Sequence, residues 1–436
     1  MPISMSNAAT REVAKRAREA SFSLAASPAA LRNGALLAAA DALEARAQEI
    51  FAANARDLEN ARQDGLAAPA LKRLKFDAGK LADVCAGLRD LAAMEDPIGR
   101  IQLRTELAEG LTLTRVACPM GVVGVIFESR PDALVQIAGL CLKSGNAVLL
   151  KGGREALCSN KILFETMEKA AVSAGLPAGF MGLLTSREEV GQMLAMDELI
   201  DLIIPRGSNA FVRYLMDNSR IPVLGHSDGV CHLYLDAVCD AQMAARIAVD
   251  AKTQYPAACN SIETLLVHKD AAHSALPSVA AALHTAGVRL RADARAQALI
   301  PGIPCEAADE SDWTAEYSDL VLAVKIVDSI EEAIAHINRC GSHHTDAIVT
   351  GDDAAAAKFA SLVDSAGVYR NCSTRFADGY RYGFGAEVGI ATGKLHARGP
   401  MGLEGLCSYK YLLEGSGDVV ADFSQGKRAF THKKLL

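Results

Sequence analysis

From residue 119 onward the chain alternates between short, glycine-bounded apolar runs and amphipathic stretches, and this rhythm constrains the fold more than any single residue. PMGVVGVIFES, NAVLLKGG, FMGLLTS, DLIIPRG and IPVLGH read as strands. DALVQIAGLCLKSG, EALCSNKILFETMEKAAVSAG, REEVGQMLAM and SNAFVRYLMDNS, which lie between them, read as helices. Parallel strands need a crossover, and right-handed helical crossovers cover both faces of a sheet. The expected fold class is therefore α/β, with a doubly wound parallel sheet of the nucleotide-binding type. Fold alone does not settle function.

A second alternating region, with IETLLVH, SALPSVAAALHTAG, DLVLAVKIV, SIEEAIAHINRCG and TDAIVTG, predicts a second α/β domain that begins near residue 231. In the N-terminal segment Leu36, Ala40, Leu43, Ala47, Ile50 and Phe51 recur at helical spacing, which predicts a mainly helical start. The glycine- and aromatic-rich stretch 371–409 reads as a long loop of the kind that lines a site. With 436 residues, half of them apolar, the chain has interior enough for two or three domains.

A net charge of -7 leaves no electrostatic footprint for nucleic acid. The basic run of Lys427, Arg428, Lys433 and Lys434 reads as a solvated tail. Charges fill the N-terminus where a signal peptide needs an apolar centre, and no apolar stretch is long enough for a membrane span, so a cytoplasmic protein is expected. Eleven cysteines, an odd count, then read as reduced thiols, most of them inert core residues.

The G-x-G-x-x-G fingerprint is absent; Gly383, Gly385 and Gly389 have the wrong spacing and no strand before them. Two strand-to-helix junctions could hold a dinucleotide instead. Lys151 ends one strand before Gly152, Gly153 and Arg154, and Gly207 and Ser208 open a helix whose free N–H groups could meet a phosphate. Glycine after a strand is more often a plain turn, but two such junctions in one sheet favour a nucleotide. Among the cysteines, Cys85, Cys141, Cys158 and Cys239 fall in helical patterns, and Cys118 and Cys231 lie beside strand-like runs, where a buried thiol is the default. Cys259 differs: Pro256 forbids a continuing helix before it and a strand follows, which puts the thiol on a reachable loop. No histidine motif marks a Cys–His pair, and without H-E-x-x-H or C-x-x-C no metal is expected.

Three stretches, VVGVIFESRPDALVQIAGLCLKSGNAVLLKGGREA, CNSIETLLVH and GAEVGIATGKLHARGPMGLEGLCSYKY, make the chain similar to the aldehyde dehydrogenase superfamily over nearly its full length. Within it, the chain resembles the branch that reduces L-glutamyl 5-phosphate in proline biosynthesis, and the third stretch is close to a signature of that branch. The resemblance implies a catalytic thiol at Cys259, a cofactor lysine at Lys151, a pyrophosphate helix start at Gly207 and Ser208, and a nicotinamide-ribose carboxylate at Glu316. It places Ser129 where ordinary members carry an oxyanion-stabilising asparagine. Arg154 stands where NAD-preferring members carry a ribose-binding glutamate, which favours NADPH. LGHSDGV has no carboxylate until Asp228, so the general base that hydrolyses a thioester is missing.

The implied reaction is attack of Cys259 on the acyl phosphate, then reduction of the thioester to glutamate 5-semialdehyde. Arg130, Asn371, Ser373, Thr374 and Arg375 are the expected substrate-binding residues, with solvated loop groups as the competing reading. The expected domains are 1–105 with 120–230 for the cofactor, 231–400 for catalysis, and 106–119 with 401–436 as an oligomerisation ribbon and tail. A homo-oligomer and transient contact with glutamate 5-kinase follow from the same resemblance. The competing functions are an NAD(P)-dependent dehydrogenase of another small aldehyde and a non-catalytic relative; the length leaves no room for a fused kinase.

Overall fold

The computed structural model describes residues 5–128, 130–207, 209–225, 228–384 and 387–436. Among them four parallel strands form the first sheet, in the order Met181–Leu184, Ala147–Lys151, Val122–Phe127 and Leu202–Arg206. The helices Pro131–Lys143, Leu157–Ser173, Arg187–Met193 and Asn209–Asn218 follow these strands, close to where the sequence places them. Each strand is apolar on both sides because each side is covered. Val123, Val125, Val148 and Leu150 join the core under the N-terminal helices, while Val122, Ile126, Ala147 and Leu149 join the one on the opposite face.

The fifth predicted strand is a correction. IPVLGH contributes only an isolated bridge from Val223 to Ile203. Pro222 accepts from the Ile203 N–H at 2.9 Å but has no N–H to return, so the ladder stops there.

A seven-stranded parallel sheet follows among the described residues, in the order Cys305–Ala307, Arg289–Ala292, Val321–Val327, Ile262–His268, Cys231–Leu235, Thr345–Val349 and Gly367–Arg370. Its first strand begins at Cys231, at the expected boundary. Leu233, Leu235, Leu265 and Val267 pack on one face, and Tyr234, Leu266 and Ile348 on the other. The two-residue period of a strand thus builds two cores from one sheet.

A third, antiparallel sheet joins Ile101–Ala108 and Leu111–Pro119 to Cys407–Glu414 and Lys433–Lys434. The hairpin begins at Ile101 rather than 106. Among the described residues no helix is long and apolar enough to cross a membrane.

Candidate active site

Cys259 lies half-buried on the turn between the helix Ala241–Thr253 and the strand Ile262–His268. Neighbours on all sides fix this turn. Ala258 N–H donates to Tyr255 at 3.1 Å and Ser261 N–H to Ala258 at 2.8 Å. Thr374 Oγ1 donates to the Asn260 carbonyl at 2.7 Å, and Asn260 Nδ2 to the Ala377 carbonyl at 2.7 Å, which ties the turn to the 371–378 segment. From the adjacent strand, Cys231 Sγ donates to the Cys259 carbonyl at 3.2 Å. Burial holds the Cys231 thiol well above its ordinary range, so it acts as a neutral donor.

Gly229 closes the last side. A Cβ there would lie 2.5 Å from Cys259 Cα and from its carbonyl oxygen, closer than atoms can approach. Gly229→Ala is therefore expected to push the thiol out of place and lower kcat by about a hundredfold, the usual effect of a 1 Å misplacement. Steady-state kinetics beside a thermal melt check this; an unchanged kcat would show that the turn tolerates the shift.

Two guanidiniums lie in electrostatic reach of Cys259, those of Arg206 and Arg375. Burial lowers the pKa of both; a thiolate at Cys259 works in the opposite direction and favours their charged forms. Arg375 is further held by Gln254, which accepts from its Nε at 2.9 Å, and its carbonyl accepts from Arg381. Arg130 ends the loop before the helix Pro131–Lys143, beside Arg206, and donates to Asp132 at 3.1 Å.

The other expected substrate residues are placed differently. Asn371 Oδ1 accepts from the Thr350 N–H at 2.9 Å and its Nδ2 donates to the Thr350 carbonyl at 3.0 Å, so both ends of the amide are engaged. Ser373 caps the short helix Thr374–Phe376 by accepting from Arg375 N–H, and Thr374 is fully buried. Asn371 and Ser373 open onto a groove of about 900 Å³ along the helix Ala241–Thr253, which Cys259 does not line. The structure thus brings Arg130 and Arg375 to the thiol and uses Asn371, Ser373 and Thr374 to shape the loop. Lys394 and Arg398 of the signature segment both pair with Asp364, at 2.7 and 3.0 Å.

The cofactor residues follow the carboxyl ends of the first sheet. Lys151 is buried at the end of its strand, where burial lowers its pKa, Glu155 opposes that shift, and Arg187 reinforces it. Arg187, absent from the sequence reading, opens a helix that the Ser186–Glu189 capping box starts. Arg154 is exposed and meets only the surface carboxylate Asp64, at 3.6 Å, which leaves it available to a ligand. Gly207 lies against Glu128, and the next helix begins at Asn209, whose Nδ2 donates to Glu316 at 2.6 Å. Glu316, from the second α/β region, therefore faces the helix start that was assigned to pyrophosphate. Ser129 and Ser208 lie outside the described residues, as do His226 and Ser227 of LGHSDGV. Asp228 of that stretch pairs with Arg213 at 3.2 Å.

The comparisons decide the family. The model of the aldehyde dehydrogenase family matches residues 3–301. A gamma-glutamyl phosphate reductase from Acetivibrio thermocellus is 55% identical over 424 residues, 97% of this chain and 98% of that one. Gamma-glutamyl phosphate reductase 1 from Synechocystis is 54% identical over all of both chains. The crystal structure of the Thermotoga maritima gamma-glutamyl phosphate reductase is 37% identical, has a TM-score of 0.92, and covers 94% of this chain and 99% of its own.

This chain belongs to the gamma-glutamyl phosphate reductases, within the aldehyde dehydrogenase family. That placement favours reductase chemistry over the dehydrogenase of an unrelated small aldehyde, and it implies a nicotinamide cofactor. In a gamma-glutamyl phosphate reductase the cluster around Cys259 gains a chemical meaning: cations beside a nucleophilic thiol suit a substrate that is anionic at its reacting end. Sequence reasoning missed Arg206 because it reads as the polar end of an apolar strand. Its pairing with Phe127, from a segment far away in the chain, is what carries it toward Arg130.

Proposed function

We propose that this chain reduces L-glutamyl 5-phosphate to L-glutamate 5-semialdehyde and phosphate through a thioester on Cys259, the second step of proline synthesis from glutamate. The observation that carries this reading is the fixed, half-buried Cys259 turn with guanidiniums on its flank, in a chain of this family. The thiolate attacks the acyl carbon, and phosphate leaves with little need for acid assistance. The Cys259 N–H has no acceptor among the described residues, so it can donate to the oxyanion, with the Ser129 hydroxyl as the second proposed donor. Asp228, in the stretch where oxidising members keep their base, is tied to Arg213, which leaves the thioester protected from hydrolysis.

NADPH, when bound, supplies the hydride. Lys151, Arg154, Gly207, Ser208 and Glu316 would hold it, with Arg154 and the neighbouring Arg187 suited to a 2′-phosphate. We assign residues 1–105 and 120–230 to cofactor binding, 231–400 to catalysis, and the antiparallel sheet with its tail to homo-oligomerisation. The substrate would come from a separate glutamate 5-kinase through transient contact in the cytoplasm.

The reverse assay tests the reading. Oxidation of glutamate 5-semialdehyde is expected to require inorganic phosphate and to run faster with NADP+ than with NAD+. Arg154→Glu is expected to narrow that cofactor preference. Oxidation that persists at the full rate without phosphate would point to an ordinary aldehyde dehydrogenase instead.

A further inference from the structure

Arg206 ends the strand Leu202–Arg206 as a half-buried cation whose structural partners are missing. Its guanidinium donates no hydrogen bond and makes no ion pair among the described residues. The groups that face it are Cys259, the carboxylates of Glu387 and Asp132, and a second cation, Arg130. Both carboxylates are engaged elsewhere. Asp132 accepts from Arg130 at 3.1 Å and from Lys80 at 3.2 Å, and Glu387 accepts from the Gly379 N–H at 2.9 Å. A cation withdrawn from water beside another cation is costly unless an anion completes the site.

We infer that Arg206 is a catalytic residue that grips the phosphoryl group of the acyl phosphate as it departs, a role that rests on the reductase reading above. The phosphoryl oxygens hang directly on the carbon that Cys259 attacks, whereas the substrate's α-carboxylate lies at the far end of the glutamyl chain. The guanidinium that shares the neighbourhood of Cys259 and has no protein partner therefore meets the phosphate. A planar guanidinium offers paired N–H groups to two phosphate oxygens, and Arg130 adds a second positive charge for the dianion.

In the forward step the Cys259 sulfur bonds to the acyl carbon. The bond from that carbon to the bridging oxygen breaks, and its electron pair leaves on the phosphate held by Arg206. In reverse, a phosphate oxygen held by Arg206 attacks the thioester carbon and the Cys259 thiolate departs.

The test uses the full-length enzyme, iodoacetamide and inorganic phosphate, with no substrate or cofactor. Phosphate is expected to slow alkylation of Cys259 along a saturable curve. Arg206→Gln is expected to raise the half-protecting concentration about tenfold or more, the size of effect of a lost charge-assisted hydrogen bond. Arg206→Lys, which keeps the charge without the fork, should fall between the two and carries the test if the glutamine variant does not fold. In the reverse assay the KM for phosphate should rise with the same order of variants while the KM for semialdehyde stays put. An Arg206→Gln enzyme with wild-type phosphate protection overturns the inference, whatever happens to its turnover. Wild-type enzyme that oxidises semialdehyde equally well without phosphate would overturn the reductase reading instead.

Discussion

Cys259→Ala is expected to lower reductive turnover by about 10⁴-fold or more, because loss of the attacking atom removes the covalent route altogether. Its effect on stability should be small. The sulfur is half-buried, and the bonds that hold the turn run through the backbone and through Thr374, Asn260 and Ser261, all of which the variant keeps. A thermal melt close to wild type beside lost turnover is the expected pair of results. Alkylation offers a second check. Burial raises the thiols of Cys85, Cys141, Cys231 and Cys407, among others, so mass spectrometry after brief iodoacetamide treatment at neutral pH should find Cys259 modified ahead of them. Residual turnover near the wild-type rate in Cys259→Ala would remove the thioester from the mechanism.

The parts of this site that sequence revealed are those governed by local rules. Pro256 breaks the helix, a strand follows, and the cysteine between them is on a turn; this much needs only neighbours in the chain. Runs rich in Val, Ile and Leu that end in glycine read as buried parallel strands, and all but IPVLGH became ladder strands of the first sheet. That exception also has a local cause in Pro222, which the apolar pattern masked. What sequence could not reveal depends on strand order. Arg206 acquires its setting because its strand lies beside Val122–Phe127, and Arg187 because Met181–Leu184 lies beside Ala147–Lys151.

Polar loop residues were the hardest to read. Asn371 resembles a substrate ligand in sequence, yet its backbone takes φ 54, a conformation asparagine tolerates well, and its amide closes onto Thr350. Thr374 is just as polar in the sequence, and its hydroxyl holds the Cys259 turn from behind. A polar group on a loop can serve a ligand or the loop itself, and only the partner distinguishes the two.

Behind that turn, Lys252→Met should cause the largest loss of stability of any single change considered. Lys252 Nζ lies 2.6 Å from Glu263 Oε2, and the two side chains are 0% and 1% exposed. Burial pushes Glu263 up to about 7 and Lys252 down, against their mutual attraction. Removal of the lysine leaves a buried carboxylate without its counter-charge, at a cost of about 3–5 kcal/mol near pH 8. The sign of the pH dependence follows from the direction of the shift. A carboxyl whose folded pKa is raised holds its proton more tightly in the folded state; that contribution is complete below about 4.5 and is lost as pH rises through the folded value near 7. In Lys252→Met the attraction that restrains this rise is gone, so the variant should be least stable at pH 8 and recover toward wild type at pH 5.5, where Glu263 is neutral. Thermal melts at the two pH values measure the difference. The double variant Lys252→Met with Glu263→Leu should regain much of the stability at pH 8, since an apolar pair of similar bulk replaces the ions. A loss of equal size at both pH values would assign the effect to packing of the lysine stem and not to the stranded carboxylate. Because Ser261 Oγ donates to the carbonyls of Ala251 and Lys252, at 3.2 and 3.4 Å, any shift of this pair also reaches the turn that carries Cys259.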